Sequence, residues 1–285
     1  MDGRGASTLE ERPAVAFASR VAGAPDRRLA MALSGLVEHM ENLVTTLDLT
    51  RDDLRAILAF LTDVGEACSE QRQEWVLLAD TLGLSSIVEN QVSRRPAGAT
   101  PNTLPGPFYR ADAPARADGD SISFDGRGVP LHFAAEVTDL DGDPVAGARL
   151  EVWQANGDGL YENQDPDRQP EFNLRGVFRT DGTGRVSIRS VRPAGYAVPA
   201  DGPVGQLARR LGLGLRRPAH MHFRITAAGF QTLTTHVFDA ADPDIGRDPL
   251  FAVHPALLAT FVPNGDGVRA AYRFVLARAR RRDRT

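Results

Sequence analysis

The chain has 285 residues, of which 42% are hydrophobic and 25% are charged, and its formal net charge is −4. This length can bury a full core in one large domain with a smaller one beside it, and the weak negative charge gives no reason to expect nucleic acid as a partner. The single cysteine, Cys68, excludes an internal disulfide framework and is typical of a reducing cytoplasm, and no apolar run is long enough to predict a membrane span.

Helices are predicted over residues 29–96, where apolar side chains recur every three or four positions. Thr50 and Asp53 form a capping signal for the second helix. Ser69 is the predicted N-cap of a third helix, which Gly83 can end. Helices of this size cannot bury their apolar faces alone, so they must pack on the rest of the chain, on a partner, or on both.

Strands follow a segment rich in Pro and Gly over residues 96–107. Many short strands separated by Gly, Pro and Asp turns predict an antiparallel β-sandwich, in which the strand at 148–154 is the antiparallel neighbour of the strand at 131–138. The predicted strands cover 131–138, 148–154, 185–191, 219–226, 232–238 and 269–276, and one short helix is predicted over 203–212.

Four side chains are candidate metal ligands: Tyr161, Tyr196, His220 and His222. Side chains two apart in a strand share a face, so the two histidines point the same way while Met221 points into a core. Imidazole ligates transition metals, and anionic phenolate oxygens favour a hard, high-valent ion, so this set favours Fe(III) over zinc. A His-x-His pair is also common as a packed or solvated pair, so its surroundings must decide.

The surrounding motifs are Asp158-Gly-Leu-Tyr161, Leu174-Arg-Gly-Val-Phe-Arg-Thr-Asp181, Gly195-Tyr196-Ala-Val-Pro199 and Arg217-Pro-Ala-His220. In these motifs and in the spacing of its two Tyr and its His-x-His pair, the chain resembles the intradiol ring-cleavage dioxygenases, which include the catechol and hydroxyquinol 1,2-dioxygenases. The resemblance covers about residues 28–262 and is nearest to the hydroxyquinol branch.

This resemblance implies one Fe(III) per subunit, held by Tyr161, Tyr196, His220 and His222. With two phenolates and one hydroxide, such an ion forms a neutral site, which suits a buried position. Tyr196 is then expected to leave as a neutral phenol and to take one substrate proton. Arg217 is expected to stabilise negative charge near the ring, with a structural salt bridge as the alternative role.

His236 departs from the catechol-cleaving members, which typically carry Gln there. A hairpin centred near Gly229 puts position 236 opposite position 222, so their side chains share a face. We expect His236 to hydrogen-bond the reacting oxygen, and a fifth iron ligand is the alternative.

The resemblance places substrate contacts on a helix, on the loop that links the two domains, and after Tyr196. Asp80 is the discriminating position, because a carboxylate can accept a hydrogen bond from a third ring hydroxyl; a solvated Asp at a helix end is the alternative. The full expected set is Leu77, Asp80, Leu104, Pro105, Gly106, Pro107, Phe108, Val198, Pro199 and Leu250.

The expected organisation therefore has four parts. Residues 1–26 form a mobile arm, residues 27–100 a helical linker and dimerisation domain, residues 101–278 the antiparallel β-sandwich catalytic domain with the Fe(III) site, and residues 279–285 a basic, solvated tail. The family also implies a homodimer through the helical domain, with a phospholipid in its interface; an ordinary helical cap without lipid is the alternative.

The predicted function is cleavage of hydroxyquinol (1,2,4-trihydroxybenzene) by O2 to 3-hydroxy-cis,cis-muconate, the enol form of maleylacetate, in cytoplasmic catabolism of aromatic compounds. Cleavage of catechol or a chlorocatechol to a cis,cis-muconate is the alternative within the class. An extradiol enzyme would use two His and a carboxylate, which the His-x-His run does not offer. A non-catalytic lipid-binding or assembly module would not need both tyrosines beside the histidines.

Overall fold

The computed structural model describes residues 12–70 and 72–279. The chain packs as two compact units, Met1–Asp63 and Val64–Thr285. Residues 1–11 of the predicted arm and 280–285 of the predicted tail lie outside the described residues. No helix in the described part of the chain is both long enough and apolar enough to cross a membrane.

The first unit is helical. It contains α1 (Pro13–Val21), α2 (Arg27–Thr46) and most of α3 (Arg51–Glu66). Helix α1 lies within the segment predicted as an arm. The first turn of α1 is held by α2, because the Glu41 carboxylate accepts a hydrogen bond from the Ala14 amide at 2.8 Å. The predicted capping signal of α3 is confirmed, because the Thr50 hydroxyl accepts from the Asp53 amide and donates to the Asp53 carboxylate.

The apolar stripe predicted for α2 is left largely exposed within this unit. A helix stripe that no other element of its own unit covers is typical of a surface that meets a partner. Its exposed members are Leu29, Leu33, Leu36, Met40, Leu43, Val44 and Leu47.

The second unit begins with α4 (Glu74–Thr81) and α5 (Leu84–Val92). The prediction that Ser69 caps the third helix is wrong, because that helix begins five residues later, at Glu74. The Ser69 hydroxyl instead accepts a hydrogen bond from the Arg72 amide at 3.1 Å, which closes a local turn. Gly83 ends α4 as predicted, with a left-handed φ of 77° that favours glycine.

Eleven strands, one further α-helix and two 3-10 helices, Glu162–Gln164 and Pro255–Leu257, are found among the described residues that follow α5. The strands and the α-helix are β1 (Pro130–Asp139), β2 (Arg149–Gln154), β3 (Arg175–Arg179), β4 (Arg185–Val191), β5 (Tyr196–Ala197), α6 (Pro203–Arg210), β6 (Arg216–Arg217), β7 (His220–Thr226), β8 (Leu233–Asp239), β9 (Leu258–Ala259), β10 (Val262–Asn264) and β11 (Gly267–Leu276).

The strands form a β-sandwich whose sheets are mixed rather than strictly antiparallel. One sheet has the order β10-β11-β1-β4 and the other has the order β3-β2-β7-β8-β9, and β5 pairs only with β6. The antiparallel prediction fails at β1 with β11 and at β8 with β9, which run parallel. Strand β11, the last strand of the described residues, lies in the first sheet beside β1.

The predicted pairing of β1 with β2 is also wrong. Both edges of β1 are occupied, by β11 and β4, and β2 pairs with β3 and β7 in the other sheet. The turn after Asp139 therefore carries the chain from one sheet to the other instead of closing a hairpin.

The core lies between the two sheets. The Phe223 ring of β7 packs against Phe133 and Phe274 of the opposite sheet, with ring centroids 5.2 Å and 4.8 Å apart. Met221 and Ile225 belong to the same buried cluster, as the alternation of β7 predicted. His220 and His222 therefore lie on the other face of β7, away from this core.

Candidate metal centre

Three histidines meet on one face of the β7–β8 hairpin. His220 and His222 lie on β7, and His236 on β8 stands directly opposite His222, as the hairpin centred on Gly229 predicted. All three side chains are buried, and their ligand nitrogens lie within 4.8 Å of one another. Strand β2 pairs with the other edge of β7, and its Trp153 ring stacks on the His222 ring with centroids 4.7 Å apart, which fixes the plane of that imidazole.

The two predicted tyrosine ligands reach the same place, Tyr161 from a loop and Tyr196 from β5. The Tyr161 hydroxyl lies 3.0 Å from His222 Nε2, which lies 3.2 Å from His220 Nε2. The Tyr196 ring packs edge-on against Tyr161, with centroids 5.7 Å apart. The structure therefore brings all four predicted ligands together, although Tyr161 is separated by 61 residues from His222.

This donor set fits a metal ion. Ligands of one ion with bonds of about 2.0–2.1 Å lie about 3 Å from each other, which matches the spacing of Tyr161, His220 and His222. His220 Nδ1 faces the Pro218 carbonyl at 2.7 Å, so Nδ1 carries the proton and Nε2 keeps its lone pair. Among the described residues, the cluster includes no carboxylate.

The charges of the site also fit a cation. Burial lowers the pKa of His220 and His222 well below the usual value, helped by the positive charge of Arg217, so both imidazoles are neutral and able to ligate. Burial and the facing Tyr196 raise the pKa of Tyr161 well above its usual value. A phenolate at Tyr161 therefore requires a strong positive charge beside it, which a trivalent ion would supply.

Arg217 is buried beside this cluster. Its NH1 group lies 3.3 Å from the Tyr196 hydroxyl and 3.5 Å from His220 Nε2, and its Nε donates to Asp248 at 3.1 Å. Burial alone would lower the pKa of Arg217, but Tyr196 and Asp248 raise it on balance, so the guanidinium stays charged. Both roles predicted for Arg217, a charge near the site and an ion pair, are compatible with these contacts.

Asp248 is a further residue of the site that was not predicted from the sequence. Its carboxylate also accepts a hydrogen bond from the Ala252 amide at 3.0 Å, so it ties Arg217 to the loop that carries Leu250. Nothing in the local sequence singles out this aspartate, which lies 31 residues beyond its arginine.

The loop that begins at Leu104 forms one wall of the site. Gly106 has a left-handed φ of 71°, and a Cβ there would lie 3.5 Å from His222 Cε1. The Phe108 ring stacks on Tyr161 at 4.2 Å. Arg175, which the sequence analysis did not single out, donates to the Phe108 carbonyl and at 2.6 Å to buried Glu162, so it fastens this wall to the residue after Tyr161.

Asp80 lies on α4 and is half-buried. Burial raises the pKa of its carboxyl, while a hydrogen bond from Ser85 and the positive charge of Arg217 oppose that shift. Helix α4 is attached to α6 by Glu74, which is buried and accepts a hydrogen bond from the Val204 amide at 3.0 Å. Asp80 therefore stands on a fixed helix within the electrostatic reach of the site arginine.

The other predicted substrate contacts are found on the expected segments. Leu104 and Leu250 line a common cavity of about 110 Å³. Leu77 is half-buried and Val198 is buried, whereas Pro105, Pro107 and Pro199 are exposed. Their contact with a substrate stays a prediction.

The chain matches two family models. Residues 104–277 match the model described as Dioxygenase, and residues 26–100 match the model described as Catechol dioxygenase N terminus. The same two ranges are close to the predicted sandwich and helical domains, although by packing α4 and α5 belong to the unit that contains the strands.

Several proteins are similar over nearly the whole length. The chain is 43% identical over 262 residues to Hydroxyquinol 1,2-dioxygenase of Rhizobium sp. (strain MTP-10005), which covers 92% of this chain and 89% of that protein. It is 37% identical to 6-chlorohydroxyquinol 1,2-dioxygenase of Cupriavidus pinatubonensis, over 92% of this chain and 95% of that protein. The fold resembles the crystal structure of hydroxyquinol 1,2-dioxygenase from Pseudomonas putida DLL-E4, with a TM-score of 0.89, 34% identity and coverage of 93% and 97%.

Proposed function

We propose that this chain, which belongs to the intradiol ring-cleavage dioxygenase family, cleaves hydroxyquinol (1,2,4-trihydroxybenzene) with O2 to 3-hydroxy-cis,cis-muconate, the enol form of maleylacetate. The observation that carries the proposal is the meeting of one buried and one half-buried phenol with two buried, neutral imidazoles beside a charged arginine. The names of the similar proteins support the choice of substrate, since two of them act on hydroxyquinols.

In this proposal Tyr161, Tyr196, His220 and His222 hold one Fe(III) per subunit. The bound ion would supply the positive charge that favours a doubly deprotonated diol and the electronic path by which that diol reduces O2. The chain's own residues then have to accept protons, hold the ring and exclude water. The fit of the donor set and its spacing support this assignment.

Tyr196 is the proposed proton acceptor. Its side chain is half-buried, whereas Tyr161 is 1% exposed, so Tyr196 has more freedom to move. As a phenolate, its oxygen would take one of the two protons that the diol loses. Arg217 NH1 lies 3.3 Å from the Tyr196 oxygen. It donates a hydrogen bond to that oxygen while the oxygen is negatively charged, and to the deprotonated substrate oxygen after the proton has moved to Tyr196. Tyr161, fixed under Phe108, stays a ligand throughout.

Asp80 is the proposed recognition residue for the third hydroxyl. Oxygen uptake of the native chain and of Asp80→Asn tests this role with hydroxyquinol and with catechol. A hydrogen bond to a charged partner contributes about 1.5–3 kcal/mol, so the hydroxyquinol-to-catechol ratio of kcat/KM should fall by about 10-fold to 100-fold in the variant. A native preference for catechol together with a silent substitution would sink the hydroxyquinol assignment in favour of the catechol alternative.

The Fe(III) assignment has its own test, because phenolate-to-Fe(III) charge transfer absorbs visible light. We expect the protein purified in air to be red and to carry one iron per chain. Tyr196→Phe should keep its iron, because Tyr161, His220 and His222 remain as ligands, and should lose most of its turnover, because the proton acceptor is removed. A colourless protein with zinc or Fe(II), or loss of all metal in Tyr196→Phe, would contradict the assignment.

For assembly, we propose that the helical domain at 27–100 joins two chains. The exposed stripe of α2 supports this interface, and Leu36→Glu should convert a dimer to a monomer in sedimentation experiments. A phospholipid in the interface is part of the same proposal and would be found by mass spectrometry of an organic extract. The single cysteine supports a cytoplasmic location.

A further inference from the structure

We infer that Thr103 is a positioning residue that keeps the proton of His236 on Nε2. His236 then offers a hydrogen bond to the oxygens bound at the site and has no lone pair to offer the metal. The inference rests on the proposed function for what Nε2 faces, but the tautomer itself depends only on atoms of this chain.

His236 has one ring proton to place. Its side chain is buried against two further imidazoles, a setting that disfavours a second ring proton. A neutral imidazole carries its proton either on Nδ1 or on Nε2, and the partner of one nitrogen decides the state of the other.

The partner of Nδ1 is the Thr103 hydroxyl, at 2.5 Å. No other hydrogen bond of this hydroxyl is found in the described part of the chain. If Nδ1 carried the proton, the hydroxyl would accept it and its own O–H would be left buried without an acceptor, which is unfavourable. If Nδ1 is bare, the hydroxyl donates to it, so the Thr103 hydroxyl and Nδ1 both have a partner. The second arrangement places the proton on Nε2.

The backbone holds Thr103 where this hydrogen bond forms. Its amide donates to the Thr234 carbonyl at 2.8 Å, and the hydroxyl of Thr235 donates to the Pro101 carbonyl at 2.8 Å. Thr234 and Thr235 precede His236 on β8. The segment that carries the hydroxyl is therefore fastened to the strand that carries the imidazole, so their distance is set by main-chain pairing.

His220 shows the opposite arrangement across the hairpin. Its Nδ1 faces the Pro218 carbonyl, which can only accept a hydrogen bond, so the lone pair remains on Nε2. The Pro218 carbonyl thus leaves His220 Nε2 as a potential metal ligand, and the Thr103 hydroxyl leaves His236 Nε2 as a hydrogen-bond donor on the neighbouring strand.

His236 Nε2 has no hydrogen-bond partner among the described residues, although it is buried. The His236 ring lies against His220 and His222, with centroids 4.8 Å and 4.2 Å away. A buried N–H without a partner is rare in folded proteins, so an oxygen of the substrate or of O2 is the acceptor that completes it.

The test measures the tautomer directly in the full-length chain, labelled with 15N-histidine and freed of iron by a chelator. Two-bond 1H–15N correlation spectra distinguish Nδ1–H from Nε2–H, and the signals absent from His236→Gln identify the residue. Thr103→Val removes the hydroxyl at nearly constant shape, and Thr103→Ser keeps it as the matched control.

We expect Nε2–H at His236 in the native chain and in Thr103→Ser, and a substantial Nδ1–H population in Thr103→Val. With iron restored, Thr103→Val should lower kcat about 10-fold, the effect of one hydrogen bond, and Thr103→Ser should stay within about 3-fold of native. Nδ1–H in the native chain, or a spectrum unchanged in Thr103→Val, overturns the inference. Absence of O2 uptake with every diol would instead defeat the proposed function and leave the spectra as a separate result.

Discussion

Replacing Asp248 by Asn tests how the charge of Arg217 is held at the site. Both side chains of this ion pair are 2% exposed, and the pair is joined at 3.1 Å. Asn has nearly the same shape, but if its one oxygen accepts from the Ala252 amide, its NH2 group faces Arg217 Nε, so the substitution removes both the counter-charge and the acceptor of Arg217. Breaking a buried ion pair from one side costs about 3–5 kcal/mol, and we take about 3 kcal/mol, because the Tyr196 oxygen remains beside Arg217.

For a unit of this size, about 3 kcal/mol corresponds to a Tm lower by about 6–12 °C, measurable by differential scanning calorimetry. Turnover should fall as well, because the guanidinium is no longer aimed at the oxygen it stabilises. Loss of one preorganised donor costs about 100-fold to 1,000-fold in kcat, and a donor that is misplaced rather than removed should cost about 10-fold to 100-fold.

The neighbouring pair of Arg216 with Asp244 is the matched control. It has a similar distance, 3.2 Å, but its side chains are 52% and 23% exposed. An exposed pair contributes less than about 1 kcal/mol, so Asp244→Asn should leave turnover unchanged and lower the Tm by no more than about 4 °C. Equal effects of the two substitutions would refute the argument that burial of the counter-charge is what matters.

Two further predictions concern the same unit. Glu74→Gln weakens the hydrogen bond to the Val204 amide at the start of α6, so the Tm should fall by about 4–8 °C for a loss of about 2 kcal/mol. Asp201→Asn, which removes the exposed partner of Arg72, should change the Tm little. A larger fall in Tm for Asp201→Asn than for Glu74→Gln would contradict the role of buried Glu74 as the cap of α6. Removal of iron by a chelator should bleach the protein and lower its Tm, since an ion at a thousand times its Kd contributes about 4 kcal/mol; identical melting curves with and without the chelator would show that no ion is held by the folded chain.

The sequence predicted the parts of the site that depend on local period. Alternation along β7 put His220 and His222 on one face, and symmetry about Gly229 put His236 opposite His222, because strand geometry repeats every two residues. The pairing of β1 with β2 was predicted wrongly, because that prediction assumed that strands adjacent in sequence are paired. Neighbours in sequence usually pair, but here both edges of β1 are occupied by strands from elsewhere in the chain.

The sequence could not predict the residues that act from a distance. Thr103 lies 133 residues from His236, and Asp248 lies 31 residues from Arg217. Neither lies in a periodic pattern or in a motif, and a threonine or an aspartate in a loop has many ordinary roles. Only the packing of the segment before Leu104 along β8, and of the loop after β8 against Arg217, assigns these two side chains to the site.

The residue proposed to recognise the substrate and the residues proposed to bind the metal lie on different elements of the fold. Asp80, the residue proposed to read the ring, stands on a helix that belongs to neither large sheet, whereas Tyr196, His220 and His222 stand on β5 and β7. With these proposed roles, substitutions on α4 are expected to change which aromatic compound is accepted and to leave the proposed metal ligands in place. A library of variants confined to this one helix would therefore test new substrate specificities without changing the residues of the proposed metal site.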